Sequence, residues 1–226
     1  MTAYYNEIDP YAAQWLRNLI AAGHIAPGEV DERSIKDVQH DDLKGFTQCH
    51  FFAGIGVWSH ALRLAGWSDD RPAWTGSCPC QTHSSAARGR HVEPDWWPVW
   101  RSLIAAKRPR TLFGEQVASA RRWFSGVRDD LEALDYAVGG AHLPALAVGA
   151  DHLRPRIYFA GHADSDSESS RAIHAEAPRM PGYRRESGVV LPTNGASARM
   201  AQLRAFGNAI HAELAAEFIA AYMDVV

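Results

Sequence analysis

The stretch from Phe46 to Gly66 constrains the fold most. A buried-strand candidate, Phe46 to Ala53, ends in Gly54-Ile55-Gly56, and helical spacing follows through Trp58, Leu62 and Ala65 to a stop at Gly66. A run of that length with glycines at its end reads as a buried strand. The turn then feeds a helix that folds back over it.

The flanking sequence repeats the alternation. Thr2 to Glu7 is β-prone, Asp9-Pro10 supplies an N-cap and a proline at the first helical position, and Tyr11 to Ala22 has helical spacing closed by Gly23. A Gly/Pro turn leads to a short extended run, Ser34 to Val38. Trp74-Thr75 enters Gly76-Ser77-Cys78-Pro79-Cys80-Gln81, and Thr82 to Glu93 is a polar loop. Asp95 to Lys107 is helical, with Pro98 in its first turn. Thr111-Leu112-Phe113 is a buried strand ending in Gly114-Glu115-Gln116, and helix resumes from Ser119 to Leu134. Tyr136 to Ala141 and Arg156 to Ala160 are further strands around a short helix, and Asn208 to Met223 closes the chain as a helix. Strands alternating with helices predict an α/β fold, a mainly parallel sheet with helices on both faces.

At 226 residues and 46% hydrophobic, the chain can bury one sizeable core. No run of apolar residues is long enough for a membrane span, so no membrane partner is expected. The N-terminus, Met-Thr-Ala-Tyr-Tyr-Asn-Glu, lacks the pattern of a signal peptide. Three cysteines make a disulfide framework improbable and fit a reducing compartment. Charge is unevenly spread: residues 1–87 carry six basic and ten acidic groups, residues 88–204 carry 17 and 13, and residues 205–226 carry none and three. All but one of the 17 are arginine, the better residue for phosphate and base edges, although on charge alone a solvated surface is the more ordinary reading.

Several residues carry chemistry, each with an ordinary alternative. Two glycines at a strand-to-helix turn let a cofactor lie against backbone N–H groups, but they also make a plain tight turn. Glu7, at a strand end, suits ribose hydroxyls or is a surface acid; Asp37 invites the same two readings. Cys80, bracketed by Pro79 and Gln81, reads as a nucleophile, an inert core thiol or a metal ligand. The spacing of Cys78, Cys80 and His83 is a poor match to a zinc site, and no metal is expected. Glu115 ends the next apolar strand, where adjacent parallel strands ending together set a thiol beside a carboxyl. In His152-Leu153-Arg154-Pro155-Arg156, the two alternating arginines point to one side of an extended backbone.

Together these motifs resemble the cytosine-C5 DNA methyltransferases. Phe52-Ala53-Gly54-Ile55-Gly56 matches the family's cofactor loop, Pro79-Cys80-Gln81 its nucleophile motif, and Glu115-Gln116-Val117 its Glu-Asn-Val. His152-x-Arg154-x-Arg156 is similar to its Gln-x-Arg-x-Arg, and Gly207-Asn208-Ala209 to its C-terminal Gly-Asn-Ala. The chain also resembles the compact methyltransferases encoded by bacteriophages, which implies the cytoplasm of a bacterial host. The segments that resemble the second and third cofactor motifs, Tyr5 to Pro10 and Ser34 to Val38, precede the glycine loop here instead of following it. The resemblance therefore implies a permuted chain.

It further implies a Rossmann-like fold, S-adenosylmethionine as cofactor and double-stranded DNA as partner. The cofactor would be held by Phe52, Ala53, Gly54, Ile55, Gly56, Trp58, Pro79, Asn208 and Ala209, with Glu7 on the ribose, Ile8 on the adenine and Asp37 on its amino group. Catalysis would fall to Cys80 as nucleophile, Glu115 on the base, and Arg154 and Arg156 holding base and phosphate, the target cytosine being flipped from the duplex. Residues 1–162 and 200–226 would form the catalytic domain and 163–199 a reduced target-recognition segment. Thr82-His83 stand where the family has Pro-Phe, Gln116 replaces asparagine, His152 replaces glutamine and Cys78 replaces proline. Two alternatives remain: a DNA-binding protein of this fold that has lost turnover, and the same chemistry on RNA.

Overall fold

The computed structural model describes residues 2–79, 94–163 and 209–226. Among these, seven strands form one sheet. In chain order they are β1 (Thr2–Asn6), β2 (Gly28–Asp31), β3 (Phe46–Phe51), β4 (Ala73–Gly76), β5 (Thr111–Val117), β6 (Tyr136–Leu143) and β7 (Arg156–Ala163), and across the sheet they lie β2-β1-β3-β4-β5-β7-β6. β2, β1, β3, β4 and β5 run parallel, while β7 is antiparallel to both β5 and β6.

The helices are α1 (Pro10–Ala21), α2 (Val57–Leu64), α3 (Trp97–Lys107), α4 (Arg121–Glu132) and α5 (Ala212–Met223). They cover both faces, as the alternation requires. On one face α3 and α4 bury Trp97, Trp100, Ile104, Val127 and Leu131 against Phe51, Trp74, Leu112 and Phe159. On the other, α2 and α5 bury Trp58, Leu62, Leu214 and Ile219 against Phe113, Tyr158 and Ala160, while Leu16 of α1 packs beside Tyr5 and Ile25. α1 starts where its sequence says: the Asp9 carboxylate accepts from Tyr11 N at 2.8 Å and Ala12 N at 3.1 Å, with Pro10 in the first turn.

Two local expectations are corrected. The run Ser34 to Val38 is not extended; Ile35–Asp37 is a 3-10 turn that puts Ile35 and Val38, three apart, together in the core. The strand beside β1 is instead Gly28–Asp31, inside what reads as a Gly/Pro turn. Glycine is required there because a Cβ at position 28 would sit 2.0 Å from the Ala3 carbonyl oxygen. Asp37 therefore lies exposed in the turn after β2 rather than at a strand end. The second correction concerns Arg154, which precedes β7 with φ +28°, so it does not alternate with Arg156 on one extended backbone.

No helix among the described residues is long and apolar enough to cross a membrane. No group of three or more potential metal ligands occurs among them.

Candidate active site

The carboxyl ends of β1, β3, β4 and β5 lie side by side, and the sequence motifs sit on that edge. β1 and β3 pair Asn6 with Phe51, which sets Glu7 next to Phe52 at the start of the glycine loop. The Glu7 carboxylate accepts from Gly54 N at 2.7 Å and from Asp9 N at 2.9 Å, tying the two strand ends together. Burial pushes its carboxyl above the usual range, and these backbone donors pull it back. The loop backbone is unusual: Phe52, Gly54 and Gly56 all have positive φ, at 51°, 54° and 80°. For a bulky L residue such as Phe52 that conformation is strained. A Cβ on Gly54 would meet nothing within 4 Å, so this face of the loop is clear; one on Gly56 would press on Leu16 and Ile25. Ile8 stands beside the loop with 63% of its surface exposed. Ala53 is buried, and Phe52 and Ile55 are partly so.

One strand over, β4 and β5 pair Gly76 with Gly114, so Ser77 and Glu115 leave the sheet as neighbours. Glu115 is buried. Its Oε1 receives the Arg156 Nε at 2.7 Å, and the Ser77 hydroxyl donates to the same carboxyl. Burial dominates and raises the Glu115 pKa, while Arg156, Arg154 and Ser77 act in the opposite sense. Ser77 in turn accepts from the Trp58 indole N–H at 3.1 Å. Trp58 is buried against Phe113 and Tyr158, so it links the first turn of α2, just after the glycine loop, to the Glu115 carboxyl.

Gln116 donates from Nε2 to the Cys78 carbonyl at 3.2 Å, anchoring the chain as it leaves β4 toward Pro79. Asp95 anchors its return: the carboxylate accepts from Trp97 N at 3.0 Å and from the Trp123 indole at 3.1 Å. Pro79 is partly buried. Cys80, Thr82, His83, Gly207, Asn208 and most of 163–199 lie outside the described residues. Cys78 is buried and its thiol pushed well up, first by burial and then by Asp95, which leaves it protonated and a poor nucleophile.

Arg156 begins β7 opposite Val117 of β5, and Arg154 donates to the Ala209 carbonyl at 2.7 Å. The loop before β7 is thereby fastened to the segment that opens α5. His152 packs edge-on to His211, ring centroids 6.0 Å apart. Glu7, Phe52 to Gly56, Trp58, Glu115, Arg154, Arg156 and Ala209 thus gather at one edge of the sheet, whereas Asp37 lies in the connector between β2 and β3. Sequence reasoning gives Ser77 no role and Gln116 only a place where the family has asparagine. Ser77 has a recognisable signal, a polar residue directly after a strand and two places before Pro79; Gln116 is visible only as a departure from the family pattern.

No family model and no curated protein sequence matches the chain. Solved structures do. A mutant of Spodoptera frugiperda DNMT2 superposes with a TM-score of 0.51 and 14% identity over 79% of this chain and 47% of that one. A provisionally assigned DNA modification methyltransferase encoded within an E. coli prophage gives 0.45 and 17% over 71% and 40%. The Entamoeba histolytica methyltransferase EhMeth gives 0.47 and 13% over 71% and 44%. The chain spans about half the length of these proteins or less. At such identities the likeness speaks to fold, which is the expected Rossmann-like methyltransferase fold.

Proposed function

We propose that the chain is an S-adenosylmethionine-dependent methyltransferase acting on C5 of cytosine in DNA. The observation that carries this is Glu115: a buried carboxyl held by Arg156 and Ser77, beside the strand end that runs into Pro79-Cys80-Gln81. A carboxyl poised above its usual pKa suits a donor to a ring nitrogen, and an adjacent thiolate suits addition to the same ring.

The cofactor fits the residues present. Glu7 keeps acceptor capacity beyond its two backbone donors and would take the ribose hydroxyls; exposed Ile8 would cover the adenine, and Asp37 would bond its amino group. Gly54 leaves the loop face clear for close approach, and Phe52, Ala53, Ile55, Gly56, Pro79, Asn208 and Ala209 would complete the cofactor wall. Trp58 would support this wall from inside the core rather than touch the ligand. Bound there, S-adenosylmethionine supplies an electrophilic methyl carbon.

Cys80 adds its thiolate to C6 of the flipped base while Glu115 donates to N3, which moves electron density onto C5. Arg156 holds Glu115 in place, and Arg154 keeps the loop before β7 fastened to Ala209. C5 would then take the methyl carbon as its bond to the cofactor's sulfur breaks, and loss of the C5 proton to a base, with the N3 proton returned to Glu115, would expel Cys80 as thiolate.

The order of the motifs is that of a permuted chain. β1 lies beside β3 with β2 outside it, so joining this pair ahead of β3 through 40–45 leaves the edge intact. Residues 163–199 would be the reduced target-recognition segment, and a phage-type enzyme would work in the bacterial cytoplasm. Expression in a host lacking the modification, followed by nucleoside analysis of its DNA and RNA, tests the assignment. The expected result is 5-methylcytosine in DNA, lost with Cys80→Ala. Soluble, cofactor-binding protein that leaves no 5-methylcytosine would refute turnover, and the product in RNA alone would move the substrate.

A further inference from the structure

Arginines in this fold are spent on partners. Among the described residues seven of them pair with carboxylates, Arg71 lies over the Trp67 ring and Arg154 holds Ala209 O. Arg110, Arg121 and Arg122 are the exceptions; Arg110 stands just before β5, at the end away from the site, whereas Arg121 and Arg122 stand together. Both are exposed, and neither makes an ion pair or side-chain hydrogen bond among the described residues. They open α4 four and five residues after Val117, the end of the strand that carries Glu115, so they stand on the edge that bears the site.

Their surroundings sharpen the exception. The first turn of α4 holds no acidic residue, although the positive end of a helix favours one and repels cations. Asp95, which reaches this turn through the Trp123 indole, makes no ion pair with either arginine. The pairing of Val117 and Leu143 with Arg156 brings the end of β6 to the same edge, and there the field of Arg121 reaches His142. Arg154 and Arg156 complete the row. Among the described residues, these two arginines at the site edge thus have no carboxylate partner.

We infer that Arg121 and Arg122 form a phosphate-binding step for the backbone of duplex DNA next to the target base. This rests on the methyltransferase reading above. Arginine is suited to the role because its planar fork meets two phosphate oxygens at once, and backbone contacts position a duplex without reading its sequence. The step would seat the strand so that the base displaced from it enters toward Glu115, while sequence readout lies elsewhere.

The test is a fluorescence-anisotropy titration of a labelled DNA duplex against sodium chloride, with transfer RNA as a second probe. The full chain is compared with the double variant Arg121→Ala/Arg122→Ala, with the arginine-to-lysine double, and with Arg110→Ala. Arg110 is also exposed but lies at the far end of β5. Losing two phosphate contacts should weaken duplex binding roughly tenfold and lower the slope of log K on log salt by about 2. The lysine double should keep most of that slope, and the melting temperature should hold in all variants. Wild-type affinity and slope in the alanine double, an equal loss in Arg110→Ala, or tighter binding of transfer RNA than of the duplex would each overturn the inference. Cofactor binding, measured separately, distinguishes the two levels: a protein that binds S-adenosylmethionine but no duplex removes this surface and keeps the fold assignment, whereas one that binds neither removes both.

Discussion

Arg156→Ala should expose how the Glu115 site is held. The Arg156–Glu115 pair is largely buried, with side-chain exposures of 19% and 9% and a 2.7 Å contact. Stripping one partner from a buried pair costs about 3–5 kcal/mol because the remaining charge is left unpaired. Residual access of water at Arg156, and the Ser77 hydroxyl still donating to Glu115, bring this to about 2–3 kcal/mol. In a domain of this size that lowers the melting temperature by about 5–10 °C. The sign with pH follows from the raised Glu115 pKa. Folding favours the protonated carboxyl, so its contribution is present in acid and lost as pH rises through the raised value. Removing Arg156 raises that pKa further. The deficit of Arg156→Ala relative to wild type should therefore widen as pH rises above the ordinary carboxylate range and close in acid. In a Glu115→Gln background the same substitution should cost only about 1 kcal/mol at every pH, which a double-mutant cycle by chemical denaturation measures. A deficit that is flat with pH, or equal in both backgrounds, would refute the pairing as the cause.

Other outcomes test the loop and its supports. Gly54→Ala should cost about 1–2 kcal/mol through its positive φ alone, and Gly56→Ala about 1 kcal/mol more, because Leu16 and Ile25 lie 3.0 and 3.1 Å from the new methyl; equal costs on denaturation would contradict the packing. Glu7→Gln should weaken S-adenosylmethionine about tenfold by calorimetry, the worth of one charge-assisted hydrogen bond, and unchanged affinity would remove Glu7 from the ribose site. Turnover should fall on the alkaline side as Glu115 loses its proton, with Trp58→Phe shifting that limb upward because Ser77 loses its indole donor; an alkaline limb that survives Glu115→Gln would assign it elsewhere.

Most elements were legible because local chemistry and tertiary demand agree. Asp9-Pro10 begins α1, and Phe46 to Ala53 contains β3, which is buried from Thr47 to Phe51 because both its faces are covered. The failures have physical causes. Gly28–Asp31 is an edge strand whose glycine is set by the approach of Ala3, a contact that only the sheet creates. Ile35 and Val38 suit a single 3-10 turn as well as an extended run, and the core decides between them. The site behaves alike. Glu7 and Glu115 are found by their places at strand ends, whereas the Trp58–Ser77–Glu115 chain and the Gln116 hold on Cys78 depend on which strands pair and in what register. Arg154 looked like a partner of Arg156 by spacing, but the strand starts two residues later and its guanidinium goes to Ala209.

The central claim is a covalent bond between Cys80 and C6 of cytosine. Duplex DNA carrying 5-fluorocytosine tests it most directly, since fluorine cannot leave C5 as a proton does and the adduct, once methylated, cannot resolve. Incubated with S-adenosylmethionine, the protein should give a DNA-linked band that survives denaturing electrophoresis, and Cys80→Ala should give none. No band from soluble, cofactor-binding protein, or a band that persists in Cys80→Ala, would contradict the account.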